Sequence, residues 1–315
     1  MFYYLRFTIY YVLFTVFLQS LFFGAGTTAV NFLRIGVGAR VVGMGEAYTA
    51  VSDEANAIYW NPGGLSQLHS EEVSFMRAMW IETINYDHLV YILPIKLGDE
   101  KHILGASIDY VSMSPIQKVG IKKDDLANPD PDDSITETYS PNDLALTLSW
   151  SKKFVNKICT GASIKFIQSK IERESAYAFG IDLGGLYILN DNISFGAVLK
   201  NIGTPIKFRE KSYNLPMDIK LGVALRLLEN KLITAVDIVM PADNNVYFNV
   251  GAEYKLLSKK EISLCPRVGY KGTGNLSCGV GIIGYGVVFD YAWMPFSGIG
   301  NTHRMSISFP FAVKK

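Results

Sequence analysis

Met217-Asp218-Ile219-Lys220-Leu221-Gly222-Val223-Ala224-Leu225-Arg226-Leu227 alternates without a break: Met, Ile, Leu, Val, Leu and Leu at odd positions, Asp, Lys, Gly, Ala and Arg at even ones. A period of two places each set on its own face of a β-strand. The same rule governs the end of the chain, where His303, Met305, Ile307, Phe309 and Phe311 alternate with Thr302, Arg304, Ser306, Ser308 and Pro310. Leu144, Leu146, Leu148 and Trp150, then Tyr177, Phe179, Ile181 and Leu183, then Val246, Phe248, Val250, Ala252, Tyr254 and Leu256 repeat it.

Tracing the alternation outward predicts about fourteen strands, near 70–80, 84–97, 101–113, 142–153, 157–170, 175–189, 191–201, 216–228, 231–240, 245–257, 260–271, 274–284, 286–294 and 302–312. Most exceed the ~5–6 residues usual in soluble sheets. They match the roughly ten residues needed to cross a ~25 Å apolar band at a tilt of ~40°. A soluble β-sandwich also alternates, but its second face should be strongly charged. Here that face is mainly Gly, Ala, Ser, Thr and Asn, as a barrel interior requires. Trp80, Tyr86, Trp150, Tyr177, Tyr187, Tyr270 and Trp293 fall near strand ends and are expected in interfacial girdles. Arg77 is the one residue that breaks the apolar parity of the first strand.

Connection lengths give an independent test. If the chain enters its first strand from the periplasm, the even gaps are periplasmic, and these are short, near 98–100, 154–156, 190, 229–230, 258–259 and 285. Both long gaps, 114–141 and 202–215, are odd and therefore external. Short periplasmic turns with long outer loops are the arrangement of outer-membrane barrels, which places the protein in the outer membrane of a Gram-negative-type bacterium, in contact with its lipid.

Composition narrows the function. Lys and Arg number 30 against 29 Asp and Glu, a net charge of +1, so no basic excess points to nucleic acid. The chain has 4 His and 3 Cys. His69, His88, His102 and His303 have no metal-ligand spacing and read as belt or solvated residues. Cys159 and Cys265 fall on the polar parity and Cys278 on the apolar one; Cys265 and Cys278 sit on neighbouring strands but point to opposite faces, so no disulfide is expected. The acidic run Asp124, Asp125, Asp130, Asp132, Asp133 and Glu137 departs from the EF-hand pattern and reads as a solvated outer loop. No Ser/His pair has recognisable spacing. No catalytic site, metal or cofactor is expected. Both signs of charge fall on the inner parity: Asp109, Lys165, Asp182, Asp218, Lys220, Arg226, Asp237, Glu253, Lys255, Arg267 and Asp290. Such a mixture suits hydrogen bonding to a plug, or plain solvation of a wet lumen, better than an ion-selective pore.

The first seventy residues have a different texture. Residues 1–29 carry one charge, Arg6, then an apolar run over 7–23 and small residues over 24–29. This reads as a secretory signal peptide, with a membrane anchor as the alternative. Residues 30–69 are punctuated by Gly36, Gly38, Gly43 and Gly45. No βαβ frame surrounds these glycines, so a nucleotide loop is rejected. Short helical turns are expected over 46–51 and 53–58, before the turn at Asn61-Pro62-Gly63-Gly64. Fourteen strands enclose more room than their own side chains fill, so this segment is expected to fold inside as a hatch. Asn61 caps or turns the backbone, Pro62 stops a helix, and Gly63 permits close approach to the wall. Asp53 and Asn56 are expected to satisfy loop amides. Whether these residues only hold the hatch in place or also gate it stays open.

The runs Phe32-Leu33-Arg34-Ile35-Gly36-Val37-Gly38-Ala39-Arg40, Gly43-Met44-Gly45-Glu46-Ala47-Tyr48 and Asp53-Glu54-Ala55-Asn56-Ala57-Ile58-Tyr59-Trp60-Asn61-Pro62-Gly63-Gly64-Leu65 resemble the N-terminal signature of the PorV/PorQ family, whose fold is similar to that of FadL, the long-chain fatty-acid channel. The resemblance implies a fourteen-stranded barrel with a hatch bearing an Asn-Pro-Ala-type motif, for which Gly63 here stands in place of Ala. Together the readings give an all-β, antiparallel transmembrane β-barrel, divided into signal peptide (1–29), hatch (30–69) and barrel (70–315). The resemblance also implies two roles: service to type IX secretion, with secretion proteins or exported cargo as partners, or FadL-like uptake of long-chain fatty acids or other hydrophobic small molecules. Ile206, Phe208, Tyr213 and Leu215, in the second long outer gap, are the candidate ligand or partner loop.

Overall fold

The computed structural model describes residues 26–81, 83–121, 131–132, 136–155, 157–257, 262–296 and 300–311. The expected signal sequence up to residue 25, and Asp124, Asp125, Asp130 and Asp133 of the acidic run, lie outside the described residues.

Fourteen strands run in sequence: β1 (Glu72–Met79), β2 (Ile84–Leu97), β3 (Glu100–Met113), β4 (Asn142–Val155), β5 (Ile158–Ile171), β6 (Glu174–Asn190), β7 (Ile193–Gly203), β8 (Asp218–Leu227), β9 (Leu232–Pro241), β10 (Tyr247–Tyr254, continued at Leu256–Leu257), β11 (Ser263–Lys271), β12 (Asn275–Gly284), β13 (Val287–Phe296) and β14 (Gly300–Pro310). Each pairs antiparallel with its neighbours in sequence, and β1 pairs with β14 from Glu72↔Pro310 to Met79↔His303, so the sheet closes on itself. Closure leaves no edge whose N–H and C=O groups would meet lipid. Among the described residues no helix is long and apolar enough to cross a membrane; the strands do so. The two long outer gaps fold into short ribbons, Ile116–Gln117 with Thr138–Tyr139, Gly120–Ile121 with Pro131–Asp132, and Ile206–Phe208 with Lys211–Tyr213.

The alternation read in the sequence is the alternation of the wall, with its apolar set outward. Phe179 is 62% exposed and Leu276 63%. Such exposure on strand after strand separates a lipid-facing barrel from a sandwich, whose apolar face would be buried. Arg77, the breach in the first strand, sits on this outer face and makes a two-point ion pair with Asp87 of β2, both contacts 2.7 Å. The two charges cancel side by side. Tyr86 is a correction: it is fully buried on the inner face, where its hydroxyl donates to Asp109 at 2.7 Å, and so belongs to no girdle. His88 is a second correction. It is neither in the belt nor solvated but buried beside the same Asp109 oxygen at 2.7 Å. The other three behave differently: His69 contacts Lys101, His102 accepts from the Trp150 indole, and His303 pairs with the Tyr291 hydroxyl. Cys159 and Cys265 are buried, Cys278 is exposed, and all three are free.

The chain ahead of β1 forms a 3-10 turn (Asn31–Arg34), helix α1 (Ala39–Gly43), helix α2 (Ala57–Trp60) and a 3-10 helix (Pro62–Gln67). Residues 46–51 form turns rather than the expected helix, and the second helix begins later than expected, at Ala57. The direction of this segment also differs from the simplest reading. Although β1 starts at the short-turn end, residues 26–29 lie at the long-loop end: Gly26 N donates to Asp243 O, and Ala29 N to Asn214 O. From there the chain descends along the inner face to Leu68, whose carbonyl accepts from Lys101 beside the β2–β3 turn.

Its backbone touches the wall at glycines of the inner parity. A Cβ at Gly161 would lie 2.4 Å from Pro62 O, one at Gly196 2.2 Å from Thr49 O, and one at Gly251 2.2 Å from Met44 O. Each approach puts main chain against main chain, where neither side can yield, so only a missing side chain allows it. Gly185 differs, since its added Cβ would meet nothing nearer than Cys159 O at 3.8 Å. We therefore expect Gly161→Ala to cost about 1–3 kcal/mol through overpacking and Gly185→Ala to be close to neutral. Heat-induced loss of the compact gel form, compared between the two variants, checks this. Equal behaviour of the pair would show that the close approach is not what holds the segment.

Candidate functional site

The Asn-Pro-Gly-Gly turn works as the residue types suggest, with one addition. The Asn61 side-chain oxygen accepts from Gly63 N (3.1 Å), capping the 3-10 helix that Pro62 opens. The Asn61 amide nitrogen, in turn, donates to Thr49 O (2.8 Å) and to Gly185 O of β6 (3.0 Å). One asparagine therefore caps a helix, ties two turns together and reaches the wall. Gly63 lies under β6, where an added Cβ would stand 2.9 Å from Gly184 O. Gly38 and Gly45 have φ of 81° and 64°, the left-handed region that favours glycine. Gly36 leaves room for the Glu46 carboxylate, 2.5 Å from where its Cβ would be, and Gly43 lies close to Gly279 of β12. Asn56 is buried and donates to Glu54 (2.8 Å) rather than to a loop amide. Asp53 accepts from Arg40 (2.6 Å) and from the Tyr48 hydroxyl (3.0 Å).

Arg40, on α1, is the hub. Besides Asp53 it contacts Glu54 (3.3 Å) and makes two bonds, 2.9 and 2.8 Å, to the Glu253 carboxylate of β10. Arg267 of β11 donates to the same Glu253 (2.5 Å) and to Asp290 of β13 (2.6 Å). Three of the expected inner charges, Glu253, Arg267 and Asp290, thus form one network centred on an arginine of the preceding segment. Burial lowers the Arg40 pKa, but Asp53 and Glu253 outweigh it and hold it well above the usual arginine value.

Other inner charges act as anchors. Asp237 accepts from Tyr48 N and Thr49 N at 2.9 Å each and from the Thr49 hydroxyl at 2.7 Å. Asp182 pairs with Lys165 (2.6 Å) and accepts from Asn201 N (2.7 Å). Of the inner-parity set only Lys255 is exposed. Sequence parity missed Arg304, which is fully buried, donates to Gly36 O (3.2 Å) and lies over the Trp80 ring. It also missed Lys200 and Glu72. All three lie on the buried parity of their strands, which was the available signal.

At the outer end, Asp243 holds the start of the segment, accepting from Thr28 at 2.5 Å and pairing with Arg34. Ile206 and Leu215 are buried in the core cluster, Phe208 packs against it, and Tyr213 is 40% exposed. Two cavities adjoin the segment. One, of about 680 Å³ at the short-turn end, is lined by Arg40, Asp53, Glu72, Arg226, Glu253 and Arg267. The other, of about 150 Å³, lies under the outer loops. Both are charged. A third concavity, of about 610 Å³, is apolar but lies on the outer wall, at Phe195, Leu221, Val223 and their neighbours. Among the described residues no cluster of three metal-ligating side chains occurs.

Two outcomes follow from these contacts. Arg40→Met takes from Glu253 one of its two arginine partners, Arg267 remaining, and from half-buried Asp53 its closest cation, and should cost up to about 3 kcal/mol, less than a fully unpaired buried charge, read as a lowered thermal midpoint; restoration by an added Glu253→Gln would identify the under-compensated carboxylate as the cause. Burial pushes the Asp243 carboxyl up, but Arg34 and Thr28 overcome this and hold it below its ordinary value. A depressed carboxylate contributes stability that is complete above its unfolded pKa and is lost as pH falls through the lower folded value. A spin label at Gly26→Cys, in a Cys278→Ala background, should therefore stay immobile until pH drops below the ordinary carboxylate range. In Asp243→Asn it should be mobile throughout.

The barrel is similar to several solved structures. The Ralstonia pickettii toluene transporter TbuX is 13% identical, with 88% of this chain and 99% of that chain covered at a TM-score of 0.57. The CymD monoaromatic hydrocarbon channel is 12% identical, with 89% and 99% covered at 0.60. A Pseudomonas aeruginosa FadL homologue is 9% identical, with 88% and 98% covered at 0.55. At such identities the likeness is one of fold. No curated protein matches the chain. The family model for the type IX secretion system protein PorV matches residues 24–241. That match spans more than half the sequence and includes the capped Asn-Pro-Gly-Gly turn and Arg40, so this outer-membrane β-barrel belongs to the PorV family.

Proposed function

We propose that the protein serves type IX secretion as a filled barrel that presents its outer loops to exported cargo or to other secretion proteins, with residues 30–69 acting as a fixed hatch. The observation that carries this reading is how the interior is occupied. The segment is joined to the wall by main-chain contacts at glycines and by the Arg40–Glu253–Arg267–Asp290 network. Both inner cavities carry buried charged side chains among apolar ones, and covering those charges with an apolar solute would be costly. Membership of the PorV family supports the same role. On this reading Asp53, Asn56, Asn61, Pro62 and Gly63, with the glycines at 36, 38, 43 and 45, hold the hatch rather than gate it.

A second reading, passage of a hydrophobic small molecule, is favoured by the likeness to hydrocarbon-transporter folds and by the apolar roof of Ile206, Phe208 and Leu215. It requires the segment to move. Thr28 and Asn214 are joined by a parallel β-bridge, so a Thr28→Cys/Asn214→Cys disulfide, in a Cys278→Ala background, would pin its outer end. The secretion reading expects normal surface attachment of cargo in the oxidised variant, and loss of that attachment on deletion of the gene. Normal cargo display in the deletion strain, with hydrocarbon or fatty-acid uptake blocked by the disulfide, would overturn it in favour of transport.

A further inference from the structure

The apolar concavity of about 610 Å³ on the outer wall is a groove with a direction. Its floor follows one register row of small outward residues, Thr160 of β5 opposite Gly185 of β6, and Gly185 opposite Ala197 of β7. The row runs on to Leu221 of β8 and Ile238 of β9. Tyr187 and Phe195, in the next row toward the short turns, wall it on that side. The row is inclined. Thr160 lies two residues from the short-turn end of β5, Gly185 five from that of β6, and Leu221 and Ile238 six from those of β8 and β9. The groove therefore starts near the periplasmic rim at β5 and climbs into the hydrocarbon toward β9, as strand tilt requires. At its low end the same row continues to Lys152 of β4, opposite Thr160.

That low end is basic. The β2–β3 and β4–β5 turns, with the strand residues beside them, carry Lys96, Lys101, Lys152, Lys153 and Lys157 against Asp99 and Glu100. The β6–β7 and β8–β9 turns, under the higher part of the groove, carry Asp191 and Glu229 against Lys231. Lys152 pairs with Glu100 and lies 4.9 Å from the centre of the Phe154 ring, and Lys101 donates to Leu68 O. Lys153 and Lys157 are exposed and, among the described residues, form no ion pair. The positive field reaches His69, whose pKa is held below its ordinary value by Lys101 first, then by burial and by Lys153. Lysines in water select nothing by themselves. Placed where strands leave the hydrocarbon, beside an exposed aromatic ring and at the mouth of an apolar groove, they fit a molecule with a negative head and a long apolar tail.

We propose that this groove binds one anionic phospholipid of the periplasmic leaflet, its phosphate at Lys153 and Lys157 and one acyl chain laid along Thr160, Gly185 and Ala197 toward Ile238. Both halves are needed. A zwitterionic headgroup brings no net charge to the basic rim, and a soluble anion leaves the groove unused. The site lies outside the barrel, so it is the same for the secretion and the transport readings.

The test uses the full chain purified from outer membranes and stripped of lipid in detergent micelles. Dioleoyl-phosphatidylglycerol and dioleoyl-phosphatidylcholine are offered in equal amounts, and retention is read by native mass spectrometry. One phosphatidylglycerol is expected to be held in preference to phosphatidylcholine. Lys153→Gln and Lys157→Gln should each reduce that preference roughly fivefold, the effect of one lysine at an anionic membrane surface, whereas Lys231→Gln should leave it unchanged. A Cβ at Gly185 would meet nothing nearer than Cys159 O at 3.8 Å, so Gly185→Leu fills the groove without strain and should weaken retention of both lipids alike. Equal retention of the two lipids by the unmodified protein would overturn the proposal, and that outcome needs no variant to fold. An unchanged preference in the Lys153→Gln/Lys157→Gln protein would overturn it too. Undiminished lipid retention in Gly185→Leu would remove the groove from the site; loss, in the same variant, of a membrane protein that copurifies with the unmodified chain would give the groove to a partner's apolar segment instead.

Discussion

Lipid offers no hydrogen-bond partners, and the rest of this structure follows from that constraint. Every strand N–H and C=O facing the hydrocarbon must be satisfied within the wall, so the sheet closes through β1 and β14. Closing fourteen strands fixes a circumference, and that circumference leaves an interior wider than side chains from the wall can fill. The forty residues ahead of β1 occupy that room. To lie close to a pleated wall they require wall positions without side chains, hence Gly161, Gly196 and Gly251 opposite Pro62, Thr49 and Met44. Their buried backbone amides need acceptors from the wall, hence Asp237 beneath Tyr48 and Thr49.

The same logic explains the mixture of charges on the inner face. A conducting pore gains from one dominant sign, whereas a wall that grips an inserted segment needs complementary pairs. Glu253 lies between Arg40 of the segment and Arg267 of the wall, and Asp290 completes the outer side of that network. Removing the segment would leave Glu253 and Asp237 facing a void with part of their partners gone, so wall and segment form one electrostatic unit.

Much of the barrel was legible because a period of two is a one-dimensional record of a two-sided wall. Observed strand limits fall within a few residues of those read from alternation, and the short and long gaps fall at the ends the count assigned. Arg77 was legible as an anomaly but not as half of a pair, because Asp87 lies on the next strand and only register places them side by side. Tyr86 and His88 were misread for a related reason. Aromatic and histidine residues near a strand end suit an interface, yet even positions in β2 point inward, toward Asp109 on β3. The helices of the first segment were misplaced because short turns held by tertiary contacts carry almost no periodic signal.

Sequence alone determined the architecture, since alternation, strand length and gap parity are local properties that lipid and closure convert directly into a barrel. It also marked Asn61-Pro62-Gly63-Gly64 as a turn, because the backbone preferences of those residues are their own. Tertiary structure decided everything that depends on which inner-face residue meets which part of the preceding segment. The path from the outer end down to Leu68, the Arg40 hub and the glycines that admit main chain all belong to that class. Inner parity tells only that a side chain points inward; the contacts are made between residues as far as 268 positions apart, and only the closed barrel brings them within hydrogen-bond reach.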